Sequence, residues 1–245
     1  MSNKWALILG ASSGFGAACS RALAKAGFNI VGVHLDRKAA MPRVQQVIDD
    51  VQAAGVEALF FNKNIAADDN RAEILAQVEP MLEERGAFFN AMLHSIAFGS
   101  LLPFVADDPK QQMSRAQLEM TVDVMGNSLV YWVQDLARLN LLQRGSKVFS
   151  MTSAGGHRVI VGYGPVSAAK AVLESHTRQL ALELGPRGIM VNRFQAGVTD
   201  TPALRVIPNS ALIIEEMLKR NPGGRLTTPE DIANTFVALM DERIQ

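Results

Sequence analysis

The feature that most constrains the fold is a regular alternation of short apolar runs, rich in β-branched residues, with longer amphipathic stretches. Apolar runs of this kind predict parallel strands that are buried on both faces. In the stretches between them, apolar residues recur every three or four positions, which predicts helices covering those faces. The alternation continues from one end of the chain to the other, so the sequence predicts one α/β domain.

The predicted strands and helices give this domain the pattern of a doubly wound parallel sheet, a Rossmann fold, over residues 1–245. The strands are Lys4–Leu9, Asn29–His34, Glu57–Phe61, Phe88–Leu93, Lys147–Met151 and Met190–Gln195. The helices are Ala17–Ala26, Val44–Ala53, Ala72–Glu84, Gln117–Leu139, Val166–Leu184 and Asp231–Met240. A proline-containing excursion at 201–224 is predicted to carry one short helix, Ala211–Lys219, and to act as a substrate loop.

Composition excludes several function classes. The chain has 24 basic and 24 acidic residues and a formal net charge of zero, so no field attracts nucleic acid or an anionic membrane. The single cysteine, Cys19, excludes an intrachain disulfide, and the four histidines lack metal-ligand spacing. No apolar run reaches the roughly 18 residues of a membrane span. We therefore expect a cytoplasmic protein without a metal and without nucleic-acid or membrane partners.

A glycine-rich turn links the first predicted strand to the first helix. Glycines stand at positions 10, 14 and 16, and they leave room for a pyrophosphate beside the unpaired N–H groups of the helix N-terminus. The same glycines also suit a corner that needs them for backbone angles alone, and this alternative stays open. The residues expected to contact the pyrophosphate are Gly10, Ser12, Ser13, Gly14, Phe15 and Gly16.

The second strand should end beside the adenosine ribose of such a cofactor. Asp36 lies 20 residues after Gly16 and could bind a 2′-hydroxyl, whereas Arg37 and Lys38 could bind a 2′-phosphate. The two signals conflict, and the basic pair gives a slight preference for NADPH over NADH. After the third strand, Asn64–Ile65 is the expected edge of the adenine pocket, although an Asn at a strand end also serves as a simple turn residue.

Tyr163 and Lys170 stand at the start of a strongly periodic helix, with Pro165 near its first position. Seven residues at about 100° each return to within roughly 20° of the starting face, about 10 Å along the axis. Both side chains can therefore line one cleft. An ammonium group near a phenol stabilises the phenolate, so the pair is suited to proton transfer.

At this point the chain resembles the short-chain dehydrogenase/reductase family. The resemblance rests on the glycine turn, the Ser/Thr-rich end of the fifth strand at 150–154, the Tyr and Lys pair, and the strand Ile189–Asn192 followed by Ala196–Thr201. It extends from about Lys4 to Met240. The sequence ends at 241–245, where family members normally continue through a turn into a seventh strand.

Within that family, the chain is similar to bacterial enoyl-acyl-carrier-protein reductases. Most members have three residues between Tyr and Lys, whereas Tyr163 and Lys170 have six. The segment His94–Phe98 resembles a His-Ser-Ile-Gly-Phe sequence of those reductases, and Met125 occupies a site where carbonyl-reducing members usually have a catalytic Asn. Ser153 stands where one branch of enoyl reductases has a second tyrosine, which leaves open another branch or another substrate.

The resemblance implies NAD(P)H-dependent reduction of trans-2-enoyl thioesters, carrier-bound or free, in fatty-acid synthesis. Tyr163, Lys170 and Ser153 would then be catalytic. Further cofactor contacts are implied at His94, Ser95, Ile96, Lys170, Gly197, Val198, Thr199 and Thr201. A homodimer or homotetramer is also implied. Two alternatives remain: a carbonyl reductase or alcohol dehydrogenase of the same family, and a cofactor-binding relative without turnover.

Overall fold

A computed structural model describes residues 3–207 and 209–244, and its central feature is a parallel sheet. Within the described residues the sheet has six strands in the order β3-β2-β1-β4-β5-β6. The strands are β1 (Trp5–Leu9), β2 (Asn29–His34), β3 (Ala58–Asn62), β4 (Phe89–His94), β5 (Lys147–Thr152) and β6 (Met190–Gln195). All six predicted strands are therefore confirmed to within one residue at each end. The strand order reverses between β1 and β4, which opens a crevice at the carboxyl ends of these strands.

The helices lie on both faces of the sheet. They are α1 (Gly14–Lys25), α2 (Met41–Ala53), α3 (Asp68–Glu84), α4 (Arg115–Val122), α5 (Ser128–Arg138), α6 (Gly164–Leu184), α7 (Pro202–Arg205), α8 (Ser210–Arg220) and α9 (Pro229–Leu239). Local sequence sets several of their N-termini. Ser114 and Thr228 each form a reciprocal capping box with the residue three positions later, which satisfies first-turn N–H groups of α4 and α9. Thr201 caps α7, a short helix that the apolar periodicity does not predict.

One predicted helix contains a turn that the sequence does not predict. The stretch Gln117–Leu139 lies in one unbroken helical run from α4 through α5, with a π-helical turn at Asp123–Asn127 between them. A single π turn takes in one extra residue, and the helical periodicity of the flanking residues does not reveal it. Gly126 permits this turn to approach α6: a Cβ at that position would lie 3.0 Å from Val172 and 3.1 Å from the Ala169 carbonyl oxygen.

The core consists of two apolar layers, one on each face of the sheet, because successive strand residues point to opposite faces. One layer packs α3, α5 and α6 against the strands around the fully buried Trp132. The other packs α1 and α9 against the strands, with Phe149, Phe194 and Phe236 in mutual ring contact at centroid distances of 4.8–5.9 Å. A third, smaller cluster lies around Met125 and Tyr163, beside the crevice.

Across the part of the chain that the structure describes, no helix combines the length and apolar character needed to cross a bilayer. In the same residues, no three His, Cys, Asp or Glu side chains gather in a metal-binding arrangement. Cys19 lies in the core on α1, and burial raises the pKa of its thiol to about 12. The thiol therefore stays protonated at neutral pH and is a packing residue.

Candidate active site

The glycine-rich turn between β1 and α1 forms the floor of the crevice. Gly10 has a φ of +91°, and a Cβ there would lie 2.2 Å from the Ser95 carbonyl oxygen. A Cβ on Gly16 would lie 2.0 Å from the Gly10 carbonyl oxygen. Both glycines are thus required by the packing of the turn itself. The corner alternative accounts for these two positions, and the left-handed backbone of Gly14 accounts for the third, so the space around Gly14 has to be considered separately.

Gly14 differs because its Cβ position is open on the crevice side. Its φ is +52°, and the nearest side-chain atom to an added Cβ would be the Thr201 methyl carbon at 3.5 Å. Ser13 begins α1 with an extended backbone but its side chain caps no N–H group, and no acidic residue occupies the first turn. Ser12 is buried and Phe15 packs on the core, so the first-turn N–H groups remain available. The residues present therefore fit a bound pyrophosphate.

The loop after β6 reaches this turn, as the sequence predicts. Thr201 faces Gly14 and accepts a hydrogen bond from the Leu204 N–H at 3.2 Å. Thr199 is buried and donates to the Gly197 carbonyl at 3.0 Å, while Val198 is half-buried. A Cβ on Gly197 would lie 2.2 Å from the Thr227 hydroxyl. These contacts hold the loop as a second wall opposite the glycine turn.

At the end of β2 the acidic candidate is already engaged. The Asp36 carboxylate accepts from His34 Nδ1 at 3.0 Å and from Arg43 at 3.1 Å. Its backbone N–H and C=O pair with the Asn62 side chain, both at 2.9 Å. Arg37, in contrast, is exposed and has no ion-pair partner among residues 3–207 and 209–244. A cation is therefore free at this end of the crevice, while the neighbouring acid is neutralised.

The expected adenine edge is partly a structural turn. Asn64 accepts a hydrogen bond from the Ala66 N–H at 3.0 Å through its own side chain, which is an ordinary turn contact. Ile65 is buried, and its carbonyl accepts from the Trp132 indole N–H at 3.0 Å. Sequence reasoning missed Trp132 as the residue that ties this edge to α5. The adenine-pocket role of this segment stays a prediction.

His94, at the end of β4, is fully buried. Its Nε2 lies 2.8 Å from Ser128 Oγ, which itself donates to the Val124 carbonyl at 2.7 Å, so the His94 Nε2–H is the donor. Its Nδ1 has no hydrogen-bond partner within the described chain. Burial and the nearby positive charge of Lys170 lower the pKa of His94 to about 3. The imidazole is therefore neutral, and it ties β4 to the π turn.

Lys170 lies beneath the crevice and is held by carbonyl oxygens. Its Nζ donates to Met151 at 2.7 Å and to Ile96 at 3.1 Å. The adjacent Ser95 N–H donates to the Leu9 carbonyl at 2.8 Å, which fixes this segment to β1. Burial lowers the pKa of Lys170 to about 8, and the carboxylate of Glu174 opposes that fall. The ammonium is thus positioned by strands β4 and β5.

Tyr163 immediately precedes α6, in the predicted position, and its side chain is buried. Its ring packs over Gly155, where a Cβ would lie 2.4 Å from the ring. Burial raises the pKa of the phenol, and a hydrogen bond with the Ser153 side chain opposes that rise. The phenol is therefore a neutral proton donor at physiological pH, and the structure brings it together with Ser153 at one end of the crevice.

The remaining wall is apolar. Met125 is almost fully buried in the same cluster as Tyr163, and the partly buried residues packed against that cluster are Ile96, Leu101, Val122, Ile160 and Ile207. Phe104 contacts Gly164 and is half exposed, and the neighbouring Val105 is also exposed. Leu212 and Leu218 on α8 are also exposed, whereas Ile207 packs against the site. Among its described residues, the predicted substrate loop at 201–224 contributes Ile207 to this wall.

Several residues that complete the site escaped sequence reasoning. Arg43, on α2, forms an ion pair with Asp36, and Ser128 accepts a hydrogen bond from His94. Glu174 is buried one helical turn after Lys170. The sequence contained one usable signal, an acidic residue on the apolar face of α6 at position i+4 from the lysine. Arg43 and Ser128 gave none, because their partners lie on other elements.

Fold and site together define the class. A doubly wound sheet, an open helix N-terminus at the first turn, and a buried tyrosine and lysine beside the crevice belong to a dinucleotide-dependent oxidoreductase. The family model described as Enoyl-(Acyl carrier protein) reductase matches residues 10–245, and the chain belongs to the short-chain dehydrogenase/reductase family. Members of the family are NAD(P)-dependent oxidoreductases, and the chain is an enzyme of this type.

Relatives with different reactions are about equally similar. The chain is 28% identical over 222 residues to an NADH-dependent enoyl-acyl-carrier-protein reductase of Bacillus cereus, covering 89% of this chain and 80% of the relative. It is 27% identical over 238 residues to a 3-oxoacyl-acyl-carrier-protein reductase of Aggregatibacter actinomycetemcomitans, covering 97% and 91%. The fold matches a short-chain dehydrogenase of Burkholderia cenocepacia solved with NADP, with a TM-score of 0.79, 24% identity and coverage of 98% and 91%.

Proposed function

We propose that the chain reduces the carbon–carbon double bond of trans-2-enoyl thioesters with NAD(P)H. The observation that carries this proposal is Met125, which is 1% exposed and packs in one cluster with the Tyr163 side chain. A thioether relays no proton, so this side of the phenol lacks a proton-relaying side chain of the kind that a carbonyl reduction would use. Reduction of an enoyl thioester requires only one donor, the Tyr163 hydroxyl, at the carbonyl oxygen.

The chain's residues divide the work between binding and charge stabilisation. A bound dinucleotide would supply a hydride to Cβ of the substrate, and a proton from solvent would complete the reduction at Cα. The first turn of α1 and Thr201 would hold its pyrophosphate, and Lys170 would hold the nicotinamide ribose. The Tyr163 hydroxyl donates to the thioester oxygen as negative charge develops on it, which stabilises the transition state more than the bound substrate. The buried wall around Met125 excludes water and strengthens this hydrogen bond.

We also propose that NADPH is preferred over NADH. Asp36, the residue suited to a 2′-hydroxyl, is held by His34 and Arg43, and its carboxylate is therefore not free to bind a ribose. Arg37 is exposed at the same strand end. A guanidinium group matches the geometry of a phosphate better than that of a hydroxyl, so this arrangement favours a 2′-phosphate.

A second candidate is reduction of a ketone or oxidation of an alcohol. The observation that favours it is the hydrogen bond between Ser153 and Tyr163, because a hydroxyl beside the phenol can help orient a carbonyl oxygen. The similarity to the 3-oxoacyl reductase agrees with this alternative. The two candidates differ in which substrate atom receives the hydride, and they share the same cofactor site.

The decisive experiment measures NADPH and NADH consumption by the purified protein with a crotonyl thioester and with an acetoacetyl thioester, each as coenzyme A and carrier-protein conjugates. We expect turnover of the crotonyl thioester and a kcat/KM at least about tenfold lower for the acetoacetyl thioester. Turnover of the acetoacetyl substrate alone would replace the first candidate with the second. Tight cofactor binding without turnover of either thioester would contradict both.

A further inference from the structure

Glu174 is a buried carboxylate next to the site, and neither the family motif nor the proposed chemistry uses it. It lies on α6 one turn after Lys170 and is 2% exposed. Its Oε1 accepts from the Thr152 hydroxyl at 2.6 Å, and its Oε2 lies 2.8 Å from His157 Nε2 and 3.7 Å from Arg193. A carboxylate removed from water requires partners of this kind.

The contacts of Glu174 reach the segment that carries Ser153 and Tyr163. Thr152 directly precedes Ser153, and His157 ends the short turn that follows it. Within that turn Gly155 lies against the Tyr163 ring. A Cβ on Gly156 would be 3.5 Å from both Glu174 Oε1 and Lys170 Cβ. The turn is therefore packed between the phenol on one side and the Lys170–Glu174 face of α6 on the other.

Burial disfavours the ammonium form of Lys170, so a nearby negative charge stabilises that form. From β4 it faces the neutral His94, and the carbonyls of Met151 and Ile96 supply dipoles but no charge. On α6 itself, Glu174 raises the pKa of Lys170 against the effect of burial. Around Glu174 the charged or titratable groups are His157 from the turn, Arg193 from β6 and Lys170.

We infer that Glu174 is a positioning residue of this active site: its negative charge acts on the Lys170 ammonium group one helical turn away, and its contacts with Thr152 and His157 fix the turn that places Ser153 and Tyr163. The inference rests on the proposed role of Lys170 in holding the cofactor ribose. It extends the site by an acidic residue that touches neither substrate nor cofactor. Its effect on the ammonium should therefore depend on pH, whereas a purely structural role should not.

The test is the dissociation constant of NADPH, measured by fluorescence titration between pH 6 and pH 9. Glu174→Gln keeps the side-chain shape and an acceptor for Thr152 but removes the charge. Without that charge the pKa of Lys170 should fall by about one unit, so the ammonium is lost at lower pH. We expect binding about eightfold weaker than wild type at pH 8.5 and less than twofold weaker at pH 6.

Glu183→Gln is the matched control, because it removes one negative charge from an exposed position on the same helix. Its affinity should follow wild type across the pH range. An unchanged pH profile in Glu174→Gln would overturn the inference. If the Gln variant does not melt cooperatively, Glu174→Met, which leaves no unpaired polar atom on the side chain, is expected to show the same acid shift, and its absence would equally contradict the inference.

Two further variants separate the inference from the proposed function. Lys170→Met should weaken NADPH binding at every pH, and unchanged affinity would refute the proposed site itself. If Lys170→Met weakens binding but the Glu174 variants do not, the inference alone fails. His157→Gln retains the Glu174 charge, so it should keep the wild-type pH profile for cofactor binding while lowering kcat about threefold or more through the loosened turn. A shifted profile in His157→Gln would contradict the assignment of the charge effect to Glu174.

Discussion

The two sides of the crevice are built differently. On the cofactor side, backbone packing requires Gly10 and Gly16, because a Cβ added at either position would lie 2.2 or 2.0 Å from a carbonyl oxygen. On the substrate side, the wall is made of apolar side chains, and exposed residues such as Phe104 and Val161 extend it toward solvent. A turn that has no space for a Cβ atom accepts only glycine at those positions. An apolar wall, in contrast, accepts many exchanges between side chains of similar volume.

The relatives described above are named for different reactions. Enoyl and 3-oxoacyl reductases are 28% and 27% identical to the chain, so similarity over the whole sequence does not choose between them. In the proposed function, the choice depends on a few side chains around Tyr163, chiefly Met125 and Ser153. Substitutions on the two sides should therefore have different signatures, one in cofactor affinity and the other in turnover.

The largest effect is expected on the cofactor side. Gly14→Val places a branched side chain at the open N-terminus of α1, where it should abolish NADPH binding. Because Gly14 has a φ of +52°, the substitution also adds backbone strain of about 1–2 kcal/mol. Gly27→Val is the control for that strain, since Gly27 has a φ of +86° and open space around it. Retained cofactor affinity in a Gly14→Val protein that melts like the control would contradict the phosphate site.

On the substrate side, Tyr163→Phe should lower kcat by about 10²–10³-fold while the NADPH dissociation constant stays within about twofold. The hydroxyl acts on charge that develops in the transition state, so its loss should appear in kcat. Tyr131→Phe is the matched control, because it removes a hydroxyl that donates to Asp123 at 2.7 Å. Steady-state kinetics on the active thioester check both. Full activity in Tyr163→Phe would refute the catalytic assignment.

Much of the cofactor side could be predicted from the sequence, because glycine spacing and strand alternation report backbone geometry directly. The six strands and the place of Tyr163 before α6 were predicted in this way. The π turn at Asp123–Asn127 was not, because one extra residue inside a long helix leaves the helical pattern on either side of it intact. Nor could the sequence decide between Asp36 and Arg37, since the decision depends on Arg43, which reaches Asp36 from another element. Side-chain contacts between different helices and strands could not be predicted from the sequence pattern.

Ser153 offers a sharper comparison of the two candidate reactions. Ser153→Ala removes the hydrogen bond that opposes the burial effect on the Tyr163 phenol, so the pKa of the phenol should rise further. For an enoyl thioester we expect a fall in kcat of no more than about threefold, because the neutral phenol remains a donor. For a ketone substrate the fall should be about tenfold or more, since a second donor to the carbonyl oxygen is lost. Parallel kinetics on crotonyl and acetoacetyl thioesters measure the difference. Equal losses would show that Ser153 does not distinguish the reactions.

The smallest expected effect concerns the far end of the cofactor side, where side chains rather than backbone decide. Arg37→Ala should reduce the preference for NADPH over NADH by about five- to tenfold, because one exposed charge-assisted contact to a 2′-phosphate is worth roughly 1–1.4 kcal/mol. The effect should shrink at high salt, since Arg37 is exposed to solvent. Asp36→Ala is the comparison variant, and it should leave the preference unchanged or increase it, because it releases Arg43 from its ion pair. The measurement is kcat/KM for both cofactors at two salt concentrations.

The contradicting outcome is a strong shift toward NADPH in Asp36→Ala together with an unchanged preference in Arg37→Ala. Asp36 would then be the residue that binds the ribose hydroxyl, and its carboxylate, which is paired with Arg43 in this structure, would have to release Arg43 when the cofactor binds.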